Sequence, residues 1–89
     1  MTLIWTDNAK EDYAELLLYV EAQYGLNAAI KLFDKVEKTI TTIAAFPKIF
    51  PFSAALNGRK AVVTKQTTII YLIADKKIFI VRLADSRMV

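Results

Sequence analysis

The hydrophobic pattern of this chain changes its period once, near Pro47, and this change restricts the fold more than any other feature. Before Pro47, apolar residues recur every three or four positions, the spacing of an amphipathic helix. After the turn signal Asn57-Gly58, apolar residues lie in short runs rich in Ile, Val, Thr and Tyr, which are typical of β-strands. The sequence therefore predicts an α+β fold in which a helical half precedes a sheet.

The helical half is predicted to contain two antiparallel helices. Thr6 and Asp7 are N-cap candidates for the first helix, and Gly25 is expected to end it. Asn27 is expected to cap the second helix, and Pro47 to stop it. The apolar faces expected to be buried consist of Ala9, Tyr13, Leu16, Leu17, Val20 and Tyr24 in the first helix and Ile30, Phe33, Val36, Ile40 and Ile43 in the second. Because a single residue separates the predicted end of the first helix from the predicted cap of the second, the two helices should form an antiparallel hairpin.

The rest of the chain is predicted to form a twisted antiparallel sheet against this hairpin, in the order β-α-α-β-β-β. An edge strand at 3–5 precedes the helices, the main loop covers 47–59, and Asp75-Lys76 forms a tight turn. The three later strands are "RKAVVT", "TTIIYLIA" and "KIFIVRL", with the second in the centre. Alternation along the last strand predicts that Phe79, Val81 and Leu83 face the helices, and that Ile78, Ile80 and Arg82 share the outer face.

Charge is segregated between the two halves. Residues 58–89 contain seven cations and two acids, a net charge of +5, whereas the first 57 residues carry −2. A basic sheet suggests an anionic partner, although cations are also typical of sheet edges that are protected from aggregation. The candidate target-binding residues are Arg59, Lys60, Lys65, Arg82 and Arg87.

The composition removes several kinds of chemistry. The chain has no Cys, hence no disulfide and no thiolate, and no His, the commonest general base and metal ligand. Most acids lie on the two helices with the spacing of a solvated face, so we expect neither a metal nor a cofactor. No signal peptide is evident, and the longest uncharged apolar run, "QTTIIYLIA", falls far short of the ~20 residues that span a bilayer. We therefore expect a single domain over 1–89 that is soluble and cytoplasmic, with no membrane partner.

The order and spacing of these segments resemble one known family. The matching segments are "IWTDNAKEDYAELLLYV", "AIKLFDKVEKTITTIAAFPKIFP", "GRKAVV", "TIIYLI" and "IFIVRLADSR", which together cover nearly the whole chain. No single motif is specific. The chain resembles the RelE/ParE toxin superfamily of bacterial type II toxin–antitoxin systems.

The resemblance implies a toxin that a cognate antitoxin holds inactive, the antitoxin being acidic and partly disordered when free. RelE-like members enter the ribosomal A site and cut mRNA, ParE-like members poison DNA gyrase without being nucleases, and other relatives have lost toxicity. RelE-like nucleases usually carry an Arg just before the Tyr of their third strand, and a His or Tyr near their C-terminus. Here Thr68 precedes Tyr71, no Tyr follows it, and Asp85 lies where relatives place His.

These departures remove the groups that usually transfer protons during RNA cleavage. Each such group typically increases the reaction rate by ~10²–10⁴-fold. They favour a ParE-like growth inhibitor that is not an enzyme. A ribosome-dependent mRNA endoribonuclease and a non-toxic interaction module of the same fold remain as alternatives. The catalytic residues of the nuclease alternative cannot be assigned from the sequence.

Overall fold

The computed structural model describes residues 1–88, which form two helices and a five-stranded sheet. The elements are β1 (Thr2–Trp5), α1 (Asp7–Tyr24), α2 (Leu26–Ala45), β2 (Phe52–Ser53), β3 (Gly58–Val62), β4 (Thr67–Ala74) and β5 (Lys77–Asp85). The helical hairpin followed by a sheet confirms the predicted α+β class. No helix within residues 1–88 is both long and apolar enough to span a bilayer.

Local signals set both ends of α1. Thr6 is the N-cap, and its hydroxyl accepts a hydrogen bond from the backbone N–H of Ala9 at 3.2 Å. Gly25 ends the helix with φ +96°, and its N–H donates to the carbonyl of Glu21 at 2.9 Å. The same Gly25 precedes α2 directly, so the predicted cap at Asn27 is wrong. The reversal at a single glycine leaves Asn27 inside the first turn of α2.

The buried face of α2 differs from the predicted stripe. Ala29, Leu32, Val36 and Ile43 are buried, whereas Ile30 and Phe33 remain 49% and 44% exposed. Ile30 and Phe33 lie next to the buried residues around the helix, on the side that the sheet does not cover. The apolar pattern of α2 is therefore wider than the face that packing requires.

The sheet has the strand order β1-β5-β4-β3-β2, with β4 in the centre as predicted. Strands β2 to β5 pair antiparallel, and β1 joins β5 in parallel, which makes the sheet mixed. Phe52–Ser53 lies in the predicted main loop but forms the short edge strand β2. Asp75 and Lys76 have φ +51° and +60° and form the tight turn between β4 and β5.

A β-bulge at Val81 changes which residues of β5 face the core. Tyr71 pairs with Ile80 but Ile70 pairs with Arg82, so Val81 has no partner on β4. The core-facing residues are consequently Ile78, Ile80 and Leu83, which are 0%, 0% and 6% exposed. The prediction of core positions was right for Leu83 but wrong for Phe79 and Val81, which are half-buried. Strict alternation fails because the bulge inserts one extra residue.

Helix α1 covers the part of β5 that β1 leaves unpaired. The β1–β5 pairing ends at Ile80, and the Thr6 hydroxyl then donates to the carbonyls of Ile80 and Val81 at 2.8 and 3.2 Å. Further along, the N–H of Leu83 donates to Asp12 at 3.0 Å. Side chains of α1 thus satisfy backbone groups of a strand edge that would otherwise be open.

Candidate target-binding surface

The five predicted target-binding cations lie in three separate places. Arg59 is beside the loop after α2, Lys60 and Arg82 share the outer face of the sheet, and Lys65 and Arg87 lie near the β3–β4 turn. Lys60 and Arg82 are both register partners of Ile70, so they sit two strands apart in one row. The structure therefore does not bring all five together as one patch.

Arg59 supports the loop that follows α2. Its guanidinium donates to the carbonyl of Phe50 at 2.7 Å and to that of Lys48 at 3.3 Å. Its register partner Tyr71 is completely buried and donates its hydroxyl to the carbonyl of Pro47 at 2.7 Å. Burial raises the pKa of Tyr71 despite the nearby positive charge of Arg59. Both side chains hold the loop in place, and the Tyr71 hydroxyl is out of reach of a bound molecule.

Arg82 is fixed by a carboxylate from α1. Its Nε and Nη2 donate to the two oxygens of Asp12 at 2.8 and 3.2 Å. These hydrogen bonds and the negative charge of Asp12 raise the pKa of Arg82. The Arg82 side chain remains 56% exposed, whereas that of Asp12 is 15% exposed. The guanidinium is therefore oriented but still accessible to a partner.

Asp12 is a residue whose role sequence reasoning missed. The spacing of the acids on the helices suggested a solvated face, yet Asp12 accepts hydrogen bonds from Arg82 and from the backbone of Leu83. Seventy positions separate Asp12 from Arg82, so no local pattern could have paired them. This contact also offsets part of the charge predicted for the basic sheet.

Arg87 is held by a second carboxylate. Its backbone N–H, Nε and Nη2 donate to the oxygens of Asp85 at 2.8–2.9 Å, and the buried Thr67 hydroxyl donates to Asp85 at 2.6 Å. Burial raises the pKa of Asp85, but the hydrogen bonds from Arg87 and Thr67 outweigh it and leave the pKa below its usual value. The guanidinium also lies over the ring of Tyr24, 5.4 Å from its centroid.

Lys60 and Lys65 differ from Arg82 and Arg87 in having no fixed counter-charge. Both are exposed, and neither forms an ion pair with another residue of the described chain. Long flexible lysines of this kind bind anions as mobile point charges, whereas the two fixed arginines present planar donors. Within residues 1–88, no three carboxylates are grouped so as to hold a metal ion.

Comparison with known proteins identifies the family. Residues 3–89 match the family model described as the ParE toxin of the type II toxin–antitoxin system parDE. The chain belongs to the ParE toxin family. This result confirms the predicted membership of the RelE/ParE superfamily, and no curated protein matches the sequence of this toxin at a significant level.

Solved structures share the fold of this ParE-family toxin along nearly its whole length. The chromosomal ParDE system from P. aeruginosa is 17% identical with a TM-score of 0.80, covering 96% of this chain and 95% of that one. The YoeB/ParE toxin from Agrobacterium tumefaciens is 14% identical with a TM-score of 0.68, covering 96% and 98%. The YoeB–YefM complex from Staphylococcus aureus is 15% identical with a TM-score of 0.62, covering 94% of both chains.

The toxin also exposes an apolar groove between its helices, which we call the hairpin groove. It has a volume of about 270 Å³, and its exposed apolar residues are Leu18, Leu26, Ile30 and Phe33, which are 67%, 59%, 49% and 44% exposed. Glu21 also lines the groove. A contiguous apolar surface of this kind on a small domain is typical of a protein-binding site.

Proposed function

We propose that this toxin is a ParE-like growth inhibitor that poisons DNA gyrase, acts in the bacterial cytoplasm and is neutralised by a cognate antitoxin. The observation that carries the proposal is the arrangement of the sheet cations. Arg82 and Arg87 are oriented by Asp12 and Asp85, while Tyr71 of β4 is buried and donates to a backbone carbonyl. This arrangement suits binding of a partner better than proton transfer to RNA.

The target contact would be centred on the outer face of the sheet. Arg82 and Ile70 border a depression of about 420 Å³ that the acids Asp12, Glu15 and Asp85 also line. Lys60 lies in the same row as Arg82 across the sheet. Lys65 and Arg87 would extend the contact toward the C-terminal segment. Arg59 would contribute indirectly, since it holds the loop after α2.

Purified toxin is expected to inhibit supercoiling by gyrase and to trap cleaved DNA. The Arg82→Ala variant is expected to be a much weaker inhibitor. The free energy of unfolding should change little, because the Arg82 side chain is more than half exposed and Asp12 keeps its hydrogen bond from the backbone N–H of Leu83. A supercoiling assay and urea unfolding of the same preparations measure the two effects. Lys77→Ala, which removes an exposed cation elsewhere on β5, serves as the control.

A parallel assay on translating ribosomes separates the gyrase target from the ribosome. Codon-positioned mRNA cuts that are absent in Arg82→Ala, with supercoiling unaffected, would contradict the gyrase proposal and support a RelE-like endoribonuclease. Inactivity in both assays, with antitoxin binding retained, would support a non-toxic interaction module instead.

The antitoxin is proposed to place an amphipathic segment with acidic residues in the hairpin groove. Its apolar side would cover Leu18, Ile30 and Phe33, and its acids would meet the sheet cations. An antitoxin segment that folds on binding would bury about 1,600 Å² or more in total.

Co-expression with the cognate antitoxin is therefore expected to yield a stable complex that Phe33→Asp disrupts. A charge at this position would be buried without a partner when the antitoxin docks. Size-exclusion chromatography and calorimetry measure the weakened binding, and Leu56→Asp, at another exposed apolar position in the loop before β3, is the matched control. Equal binding by Phe33→Asp and wild type would place the antitoxin on a different surface.

A further inference from the structure

A second groove, which we call the basic groove, lies on the opposite side of the hairpin from the hairpin groove. It has a volume of about 230 Å³ and is formed where α1, α2, the β3–β4 turn and the segment after β5 meet. The polar residues lining it are Tyr24, Lys31, Lys35, Thr64, Gln66 and Arg87. Of these, only Arg87 belongs to the candidate residues identified from the sequence.

The charged residues that line this groove are Lys31, Lys35 and Arg87, and the ion pair with Asp85 offsets the charge of Arg87 alone. Lys31 and Lys35 are exposed and one helical turn apart, about 6 Å along α2, so both face the same side. Lys65 is exposed between two of the lining residues, Thr64 and Gln66. No acidic residue lines the groove among residues 1–88, and Glu37 of α2 instead accepts a hydrogen bond from Tyr13 at 3.1 Å.

Arg87 differs from the lysines because the fold holds it in position. Asp85, whose side chain is 1% exposed, binds the guanidinium through two hydrogen bonds and is itself anchored by Thr67. The hydroxyl of Tyr19 also donates to the Arg87 carbonyl at 3.4 Å. The groove therefore has one rigid cation and several mobile ones around a rim of hydroxyl and amide groups.

This set of side chains matches the chemistry that binds nucleic-acid phosphates. Arg, Lys, Thr, Gln and Tyr are the residues that contact phosphate oxygens, and these contacts need no particular base sequence. A protein segment as ligand would need exposed apolar anchors. The aliphatic residues that line the basic groove, Val20, Ala28 and Leu32, are buried or half-buried, whereas four exposed apolar side chains line the hairpin groove. The two grooves thus fit different partners.

We propose that the basic groove binds the phosphate backbone of duplex DNA, so that the toxin contacts the DNA segment held by gyrase as well as the enzyme. The inference rests on the proposed gyrase function, which it deepens by naming a second component of the target. Binding through the groove is independent of DNA sequence and decreases steeply with salt, because each neutralised phosphate releases a counterion.

The test measures binding of the full-length toxin to a fluorescent 20-base-pair duplex over a range of salt concentrations. The double variant Lys31→Gln/Lys35→Gln is expected to reduce the slope of log K against log salt by roughly 2, because each phosphate that is no longer neutralised changes the slope by about 0.9. The matched control is Lys10→Gln/Lys77→Gln, which makes the same charge change at exposed positions outside the groove. Thermal unfolding of both variants confirms that they remain folded.

Several outcomes would overturn the inference. These are equal slopes in the two double variants, no binding of wild type to the duplex at low salt, and Lys31/Lys35-dependent binding of polyglutamate without binding of DNA. The supercoiling assay on the same proteins separates this inference from the proposed function. If the toxin binds DNA through the groove but leaves gyrase unaffected, only the proposal of gyrase as target is rejected. If the groove variant inhibits gyrase and binds DNA as well as wild type does, only the proposal of DNA binding in the groove is rejected.

Discussion

Replacing Asp85 by Ala is expected to lower the free energy of unfolding by about 3 kcal/mol at neutral pH. The Asp85 side chain is 1% exposed and accepts hydrogen bonds from Thr67 and from three donors of Arg87. Its removal leaves the buried hydroxyl of Thr67 without its acceptor and frees Arg87 from its position. The expected value is at the lower end for a broken buried pair, because 26% of the Arg87 side chain is already exposed to solvent.

The same residue should make stability depend on pH in the acid range. Hydrogen bonds in the folded protein lower the pKa of Asp85, so its contribution is complete above the unfolded pKa of about 3.9. This contribution to stability is lost as the pH falls through the pKa of Asp85 in the folded protein. Urea unfolding at neutral pH and at a series of acid pH values should therefore show a steeper decrease of stability with acid in wild type than in Asp85→Ala. Asp34→Ala, on the exposed surface of α2, is the control, and identical acid profiles for wild type and Asp85→Ala would contradict the assignment.

Ile80→Ala is expected to destabilise the protein by about 2–5 kcal/mol, and Val81→Ala by about 1 kcal/mol or less. Ile80 is completely buried in the core, whereas Val81 is the unpaired residue of the bulge and only half-buried. Urea unfolding measures both variants. If the m-value, the slope of the unfolding free energy against urea concentration, equals that of wild type, only stability has changed.

The comparison of these two positions tests the register of β5 directly. Strict alternation from Leu83 would place Val81 in the core and Ile80 outside, so it predicts the reverse order of effects. A larger destabilisation by Val81→Ala than by Ile80→Ala would contradict the bulge. Phe79→Ala provides a third test of the register. Strict alternation predicts that Phe79 faces the helices, whereas in the structure it is half-buried on the outer face of the sheet.

Local sequence signals were sufficient to predict the class of fold and most element positions. The Thr6 cap, the reversal at Gly25 and the Asp75-Lys76 turn are local signals, and each acts within a few residues of where it is found. The change of hydrophobic period likewise separates helices from strands because burial must recur with the geometry of each element. The order of these elements was also sufficient to indicate the toxin superfamily.

The pairing of the charged side chains depends on how the elements pack together. Asp12 meets Arg82 because α1 covers the strand edge that β1 leaves open. Lys31 and Lys35 share a groove with Arg87 because α2 lies beside the β3–β4 turn and the segment after β5. The bulge at Val81 likewise follows from pairing with β4. Each of these arrangements joins residues that are far apart in the chain, and their geometry depends on packing of the whole sheet against both helices. Local periodicity carries no information on such contacts, so the pairing of the cations was fixed only when the chain folded.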